Sequence, residues 1–136
     1  MNAEGFLDTN VLVYAFDSKS PSKQERSRDL LNSGTCVVSW QVVQEFSNVA
    51  LHRFATPMKP DDLAQFLQLV LWPRCLIFPS SILYESALSI HQLTQYRFYD
   101  CLIVASALAA GVPTLYSEDL QEGRKIGPLR ICNPFR

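Results

Sequence analysis

Four acidic residues interrupt apolar stretches of this chain instead of lying in polar ones: Asp8, Glu45, Asp100 and Asp119. Carboxylates gathered in a partly dry crevice repel one another, so such a group needs a cation to neutralise it. A set of oxygen ligands without Cys or His favours Mg²⁺ or Mn²⁺ over zinc. These residue types therefore indicate a divalent-metal site if the fold brings them together.

Two of the acids are predicted to follow buried strands. Asp8 comes directly after the apolar residues Gly5–Leu7, and either Thr9 or Asn10 is expected to cap the helical turn that follows. Asp119 lies just beyond an apolar run at 112–116. Ligands of open parallel sheets bind where the carboxyl ends of strands meet. A simple capping role for Asp8 is the alternative, because Asp is a favoured N-cap residue.

The other two acids are predicted to lie on helices. Asp100 opens the segment 100–111, which is apolar almost all round and is expected to form a buried helix ending at Gly111. Its carboxylate could equally serve only the helix dipole. Glu45 lies beside the apolar stripe of a helix that Ser39 caps and that runs to about Phe54. It is either a surface side chain or a group directed into the crevice.

The chain alternates short apolar runs with helical patterns, which is typical of an α/β fold with a parallel sheet and helices on its faces. Further strands are expected at 36–38 and 76–78, and an edge strand at 129–132. Further helices are expected at 21–32, from Pro60 to Trp72-Pro73, and after Pro79-Ser80-Ser81.

Composition limits the class of protein. With 136 residues, 48% of them hydrophobic and 18% charged, against about 25% charged in an average domain, we expect one domain over 1–136. No apolar run reaches the roughly 18 residues of a membrane span, and no signal-like segment opens the chain. We therefore expect a cytoplasmic protein without membrane contact. The four cysteines are far apart in apolar surroundings and are expected to be core residues.

Charge gives a weaker indication of partners. The net charge of −1 is not that of a polybasic nucleic-acid binder. It becomes +3 when the four candidate site acids are set aside, which leaves basic side chains free to contact a phosphate backbone. The candidates for such contacts are Arg53, Arg97, Arg124 and Lys125.

Five segments, in this order, resemble the pattern of one family: FLDTNVLVYAFD, VVQEFSNV, YDCLIVASAL, YSEDLQEG and NPF. The chain resembles the PIN-domain ribonucleases, and most of all the VapC-type toxins of bacterial toxin–antitoxin pairs, over essentially its whole length. The resemblance implies a Rossmann-like, three-layer sheet with helices on both faces. It also implies an Mg²⁺-dependent (or Mn²⁺-dependent) endoribonuclease, a homodimer, an RNA substrate and a small antitoxin partner.

The resemblance assigns roles to single residues. It implies that Asp8, Glu45, Asp100 and Asp119 are the catalytic residues. Asp8, Asp100 and Asp119 are the expected metal ligands, with Glu45 as a ligand or a water-orienting group. Asn10 and Ser117 are expected to support them. Glu118 is an additional acid whose role is open.

Two other classes of protein are alternatives. A phosphoacceptor receiver domain also carries acids at strand ends, but it needs an acidic pair after the first strand and a lysine after a late one. Asn10 and Asp119 stand against it. A catalytically silent interaction module with a PIN-like fold is harder to exclude, because intact acids show capacity and not turnover.

Overall fold

The computed structural model describes residues 2–136. Their strands form one sheet in the order β3-β2-β1-β4-β6-β5. Neighbouring strands are parallel except for the antiparallel pair β5 and β6. The strands are β1 (Gly5–Leu7), β2 (Cys36–Ser39), β3 (Cys75–Ile77), β4 (Thr114–Tyr116), β5 (Lys125–Ile126) and β6 (Leu129–Cys132).

Six α-helices connect and flank the strands. They are α1 (Thr9–Val13), α2 (Pro21–Asn32), α3 (Trp40–His52), α4 (Pro60–Phe66), α5 (Ser81–Thr94) and α6 (Phe98–Ala110). A 3-10 turn, Tyr14–Phe16, extends α1, and the segment after α4 continues as a π-helical turn and a 3-10 turn to Arg74. Hydroxyl caps start two helices, because Ser39 accepts from the Val42 N–H and Ser80 from the Leu83 N–H.

The order of the strands creates a crevice beside β1. The chain runs from β1 outward through β2 to β3, and then returns to the other side of β1 as β4. This reversal between β1 and β4 is the topological switch point, where loops leave in opposite directions and ligands of open α/β sheets bind. Asp8 and Ser117 follow these two strands directly.

The core contains buried side chains of the sheet, of α6 and of the helices α1, α2 and α3. Residues 101–107 of α6 are all buried, as the all-round apolar pattern predicts, and Phe6 and Leu7 of β1 are fully buried. Helix α6 packs against α5 and also reaches β1, β2, β3 and β4. These contacts place the first turn of α6 at the edge of the crevice.

The α/β architecture and the expected helix at 21–32 are confirmed. The edge-strand prediction for 129–132 is wrong, because β6 lies between β4 and the short hairpin strand β5, whose two residues are too few to give a sequence signal. Cys36, Cys75 and Cys101 are buried free thiols, as expected, whereas Cys132 is a free thiol that is only half-buried. No helix within residues 2–136 is long and apolar enough to cross a bilayer.

Candidate active site

Asp8 is both a helix cap and a buried acid of the crevice. Its Oδ1 accepts from the Thr9 N–H at 2.7 Å, so Asp8 itself, and not Thr9 or Asn10, is the N-cap of α1. Its Oδ2 accepts from the Ser117 hydroxyl at 2.9 Å. Burial raises the pKa of Asp8 from 3.8 to about 6, although these two hydrogen bonds lower it, and repulsion from Glu45 and Asp100 raises it further.

Glu45 reaches the crevice from α3 and is held at both oxygens. Its Oε2 accepts from the Thr9 hydroxyl at 3.1 Å, and its Oε1 from the Gln41 amide at 2.7 Å. Gln41 also donates to the backbone carbonyl of Tyr99 at 3.0 Å, which ties α3 to the first turn of α6. Glu45 is therefore directed into the site, although the residue as a whole is exposed.

Asp119 lies on the loop that follows β4. Asn10 Nδ2 donates to its Oδ2 at 2.7 Å, and its backbone N–H donates to the Ser117 hydroxyl oxygen at 3.3 Å. Ser117 is fully buried and donates in turn to Asp8. Asn10 and Ser117 thus each donate a hydrogen bond to one of the four acids. Their role in supporting a metal site stays a prediction.

Asp100 occupies the first turn of α6 and faces a cation. The Arg97 Nε lies 3.7 Å from its Oδ2, and the Arg97 side chain is 91% exposed. Burial nevertheless raises the pKa of Asp100, with Arg97 lowering it and Asp119 raising it. One exposed guanidinium therefore does not offset the cost of desolvating this carboxylate.

These contacts make the four acids one electrostatic group. Asp8 interacts with Glu45 and Asp100, and Asp100 interacts with Asp119. Arg97 forms the one ion pair to any of them within residues 2–136. In that same part of the chain, no three Asp, Glu, His or Cys side chains meet closely enough to hold a metal ion as they stand.

The donor atoms nonetheless suit a hard cation. All four acids offer carboxylate oxygen, and within residues 2–136 only Arg97 forms an ion pair with the group. Two buried amide oxygens at the rim, Asn10 Oδ1 and Gln41 Oε1, have no hydrogen-bond partner. Buried polar atoms without partners are uncommon in folded proteins and are found at functional sites.

Glu118 turns away from this group. Its carboxylate contacts Tyr14 at 2.9 Å and Lys23 at 2.5 Å, and the hydrogen bond from Lys23 lowers its pKa. The role of Glu118, which the sequence left open, is therefore partly clear: Glu118 pairs with a lysine of α2 and does not join the site acids.

Two residues that contact a site acid were not identified from the sequence. The Thr9 and Gln41 side chains donate hydrogen bonds to Glu45. Thr9 could have been found because it is adjacent to Asp8, and Gln41 because it lies four residues before Glu45 on α3. Of the basic candidates, only Arg97 contacts a site acid. Arg53 lines a separate cleft, Arg124 lies over the Tyr96 ring, and Lys125 is exposed in β5.

Solved structures share this fold. A chain of a toxin–antitoxin complex from Klebsiella pneumoniae is similar at 18% identity, with a TM-score of 0.70 over 96% of this chain and 98% of that one. FitAcB from Neisseria gonorrhoeae gives 20% identity and 0.65 over 96% and 98%. VapC20 from Mycobacterium tuberculosis, a toxin that cleaves the sarcin-ricin loop, gives 19% and 0.59 over 85% and 90%.

At these low identities the likeness concerns the fold alone. No curated protein matches the chain by sequence. The family model described as "PIN domain" matches residues 5–122, a span that contains Asp8, Glu45, Asp100 and Asp119. The chain therefore belongs to the PIN domain family.

Proposed function

We propose that this protein is a metal-dependent endoribonuclease that hydrolyses RNA at Asp8, Glu45, Asp100 and Asp119 with Mg²⁺ or Mn²⁺. The main support is the convergence of four acids, from the ends of two strands and from two helices, at the switch point of the sheet. A structural cluster of this charge would be expected to carry more than one neighbouring cation.

The chain's own residues would divide the work. Asp8, Asp100 and Asp119 would hold the cation, while Glu45, fixed by Thr9 and Gln41, would orient a water molecule or act as a further ligand. A bound Mg²⁺ supplies charge stabilisation at the phosphate and a more acidic water. Attack by water needs no RNA 2′-hydroxyl, so the products should carry 5′-phosphate and 3′-hydroxyl ends.

Arg97 is the best placed residue to contact the RNA backbone. Its guanidinium lies at the mouth of the crevice, largely in solvent, and only 3.7 Å from Asp100. Because arginine binds phosphate oxygens with two parallel hydrogen bonds, it could hold a phosphate beside the acids. Arg53, Arg124 and Lys125 would add contacts further away, with a smaller effect on binding.

We further propose that the protein is the toxin of a toxin–antitoxin pair, because the structures that share its fold include a toxin–antitoxin complex and the toxin VapC20. A cleft of about 800 Å³ has an apolar floor that includes Phe16, Phe54 and Met58 and basic side chains such as Lys19. It begins one helical turn beyond the site, since Val13 and Val49 follow Thr9 and Glu45 by four residues. An amphipathic helix of a small antitoxin could lie there and direct a basic side chain to the acids.

The cleft can be tested by purifying the protein from its native cells. We expect a small companion protein to accompany the wild type and to be lost from Phe54→Glu, since a charge would enter the apolar floor. The variant should keep its RNA cleavage, because Phe54 contacts none of the acids. A wild-type protein without any small companion would contradict this assignment.

We also propose a homodimer formed through an apolar groove of β3, α5 and α6. Leu76, Phe78 and Ile82 line this groove, and the Ile82 side chain is 75% exposed. Exposed apolar surface of this kind usually marks a contact with another molecule. Light scattering should find a dimer for the wild type and a monomer for Ile82→Glu, with Leu69→Glu outside the groove as control.

Cleavage of total RNA is the deciding experiment for the enzyme. Purified protein should cut RNA with Mg²⁺, stop in excess EDTA and recover when Mn²⁺ is added. Cleavage that continues undiminished in EDTA would exclude the metal mechanism. If the wild-type protein, free of any partner, does not cleave RNA, a silent interaction module is favoured. That alternative is supported by the observation that no three acids in residues 2–136 lie close enough to hold a metal ion.

A further inference from the structure

Glu118 lies between Ser117 and Asp119 in the chain, but its side chain belongs to a different cluster of residues. Lys23 Nζ lies 2.5 Å from its Oε2, and the Tyr14 hydroxyl donates to its Oε1 at 2.9 Å. Lys23 also donates to the Tyr14 hydroxyl oxygen at 3.3 Å. Two polar contacts thus hold Glu118, and a third joins its two partners, so that together they connect α2, the turn after α1 and the loop after β4.

Aromatic rings complete this cluster. Lys23 Nζ lies 4.7 Å from the centre of the Tyr14 ring and 5.4 Å from that of Phe135, and the two rings meet edge to face at 5.0 Å. Arg26 donates to the carbonyl of Pro134 at 3.1 Å, which fixes the segment carrying Phe135 to α2. We call Lys23, Glu118, Tyr14 and Phe135 the Glu118 anchor.

The anchor is one of three contacts between the 117–119 loop and the α1 region. Ser117 bonds to Asp8, Asp119 bonds to Asn10, and Glu118 bonds to Tyr14. Asn10 and Tyr14 are four residues apart, so they share one face of the helical segment. The Glu118 contact is the one of these three that involves neither a site acid nor its direct donor.

We propose that Glu118, held by Lys23 and Tyr14, is a positioning residue that fixes the 117–119 loop and thereby sets the Asp119 carboxylate for binding a divalent cation. This inference rests on the proposed function. It explains why a lysine pairs with the acid next to the site and with none of the site acids themselves.

Exposure indicates that the anchor serves geometry more than stability. The Lys23 and Glu118 side chains are 36% and 24% exposed, and partly exposed ion pairs contribute little to folding. Groups that orient metal ligands typically change metal affinity by about 10- to 100-fold when removed. Since Glu118 acts through the backbone of its neighbour, we expect a smaller change of about 3- to 10-fold.

Titration calorimetry with Mg²⁺ can separate positioning from charge. Glu118→Gln removes a negative charge and Lys23→Met removes a positive one, so a through-space effect would weaken Mg²⁺ binding in the first variant and strengthen it in the second. Positioning predicts weaker binding in both. Lys23→Arg should retain wild-type affinity, and Glu25→Gln, an exposed charge loss on the same helix α2, is the matched control.

The inference is supported if Glu118→Gln and Lys23→Met both bind Mg²⁺ about 3- to 10-fold more weakly while their melting temperatures stay near that of the wild type. It is overturned if Lys23→Met binds more tightly, or if both variants bind like the wild type. Should Glu118→Gln not fold, Lys23→Met decides alone. A wild type that binds no Mg²⁺ would overturn the proposed function, and this inference with it.

Discussion

The acidic crevice and the Glu118 anchor are neighbouring regions that shift the pKa of a carboxylate in opposite directions. In the crevice, burial raises the pKa of Asp8 to about 6. In the anchor, the hydrogen bond from Lys23 lowers the pKa of Glu118. Asp8 follows β1 and Glu118 follows the neighbouring strand β4. Ser117 donates a hydrogen bond to Asp8 and directly precedes Glu118 in the chain.

The difference separates an acid for which we propose a function from one that has partners within the fold. Glu118 has its cation within the fold, and each of its carboxylate oxygens accepts a hydrogen bond, one from Tyr14 and one from Lys23. Asp8 and its partners carry negative charge that, within residues 2–136, only Arg97 offsets through an ion pair. Acids with pKa values shifted in this way cluster at functional sites, which supports the role that we propose for them.

The largest effect is expected from removing a site charge. Asp8→Asn and Asp100→Asn should each lower the rate of RNA cleavage by at least about 100-fold, more than the loss of an outer ligand contact. Asp61→Asn, an exposed acid in the first turn of α4, should cleave like the wild type. Cleavage by Asp8→Asn close to that of the wild type would remove the contrast between the two regions.

The next effect concerns stability without metal. The folded pKa of Asp8 is above its unfolded value of 3.8, so its contribution to stability is fully present below pH 3.8 and is lost as the pH rises through about 6. The shift corresponds to an unfolding free energy on the order of 3 kcal/mol. Urea unfolding in EDTA from pH 4 to 7.5 should show this loss.

Asp8→Asn is the control for that measurement. The amide can still accept from the Thr9 N–H and can donate to Ser117, so the cap is kept while the charge is removed. Its stability should change much less across the same pH range. Equal slopes for variant and wild type would show that the titrating group lies elsewhere.

A smaller effect is expected from Mg²⁺ itself. At about 10 to 100 times its dissociation constant, Mg²⁺ should stabilise the wild type by roughly 1 to 3 kcal/mol. Asp100→Asn should melt at the same temperature as the wild type or higher without metal, because burial already disfavours its charge, and should gain much less from Mg²⁺. A variant that is less stable without metal, yet equally stabilised by Mg²⁺, would mean that Asp100 only caps its helix.

The smallest effect is expected from breaking the anchor. The folded pKa of Glu118 is lowered, so the stability that it contributes is present above its unfolded pKa of 4.5 and is lost as the pH falls. Glu118→Gln should therefore lower the melting temperature slightly at pH 7 and not at pH 3. A large loss at pH 7 would make the anchor a stability element.

Much of the fold could be predicted because its signals are local. The uninterrupted apolar pattern of α6, the Pro21 start of α2 and the Ser39 cap of α3 each depend on residues close together in the chain. The place of β6 could not be predicted, because strand order depends on contacts between distant segments, and the partner β5 has only two residues.

The four candidate acids could be singled out from the sequence because each one breaks an apolar segment. Their contacts could not be predicted. The bonds from Asn10 to Asp119 and from Gln41 to the Tyr99 carbonyl join segments whose approach no local pattern encodes. The same is true of Lys23, whose place on a polar helix gave no sign that it pairs with Glu118.

The hydrogen bonds from Ser117 to Asp8 and from Asn10 to Asp119 each span 109 positions of the chain. Closing a loop of that length costs about 4 kcal/mol of chain entropy, which is recovered only when β1 and β4 pair. The hydrogen bonds of the crevice, like the sheet itself, thus form only when segments far apart in the chain come together. We therefore expect refolding to restore enzyme activity together with the β1–β4 contact and not with the earlier formation of helices.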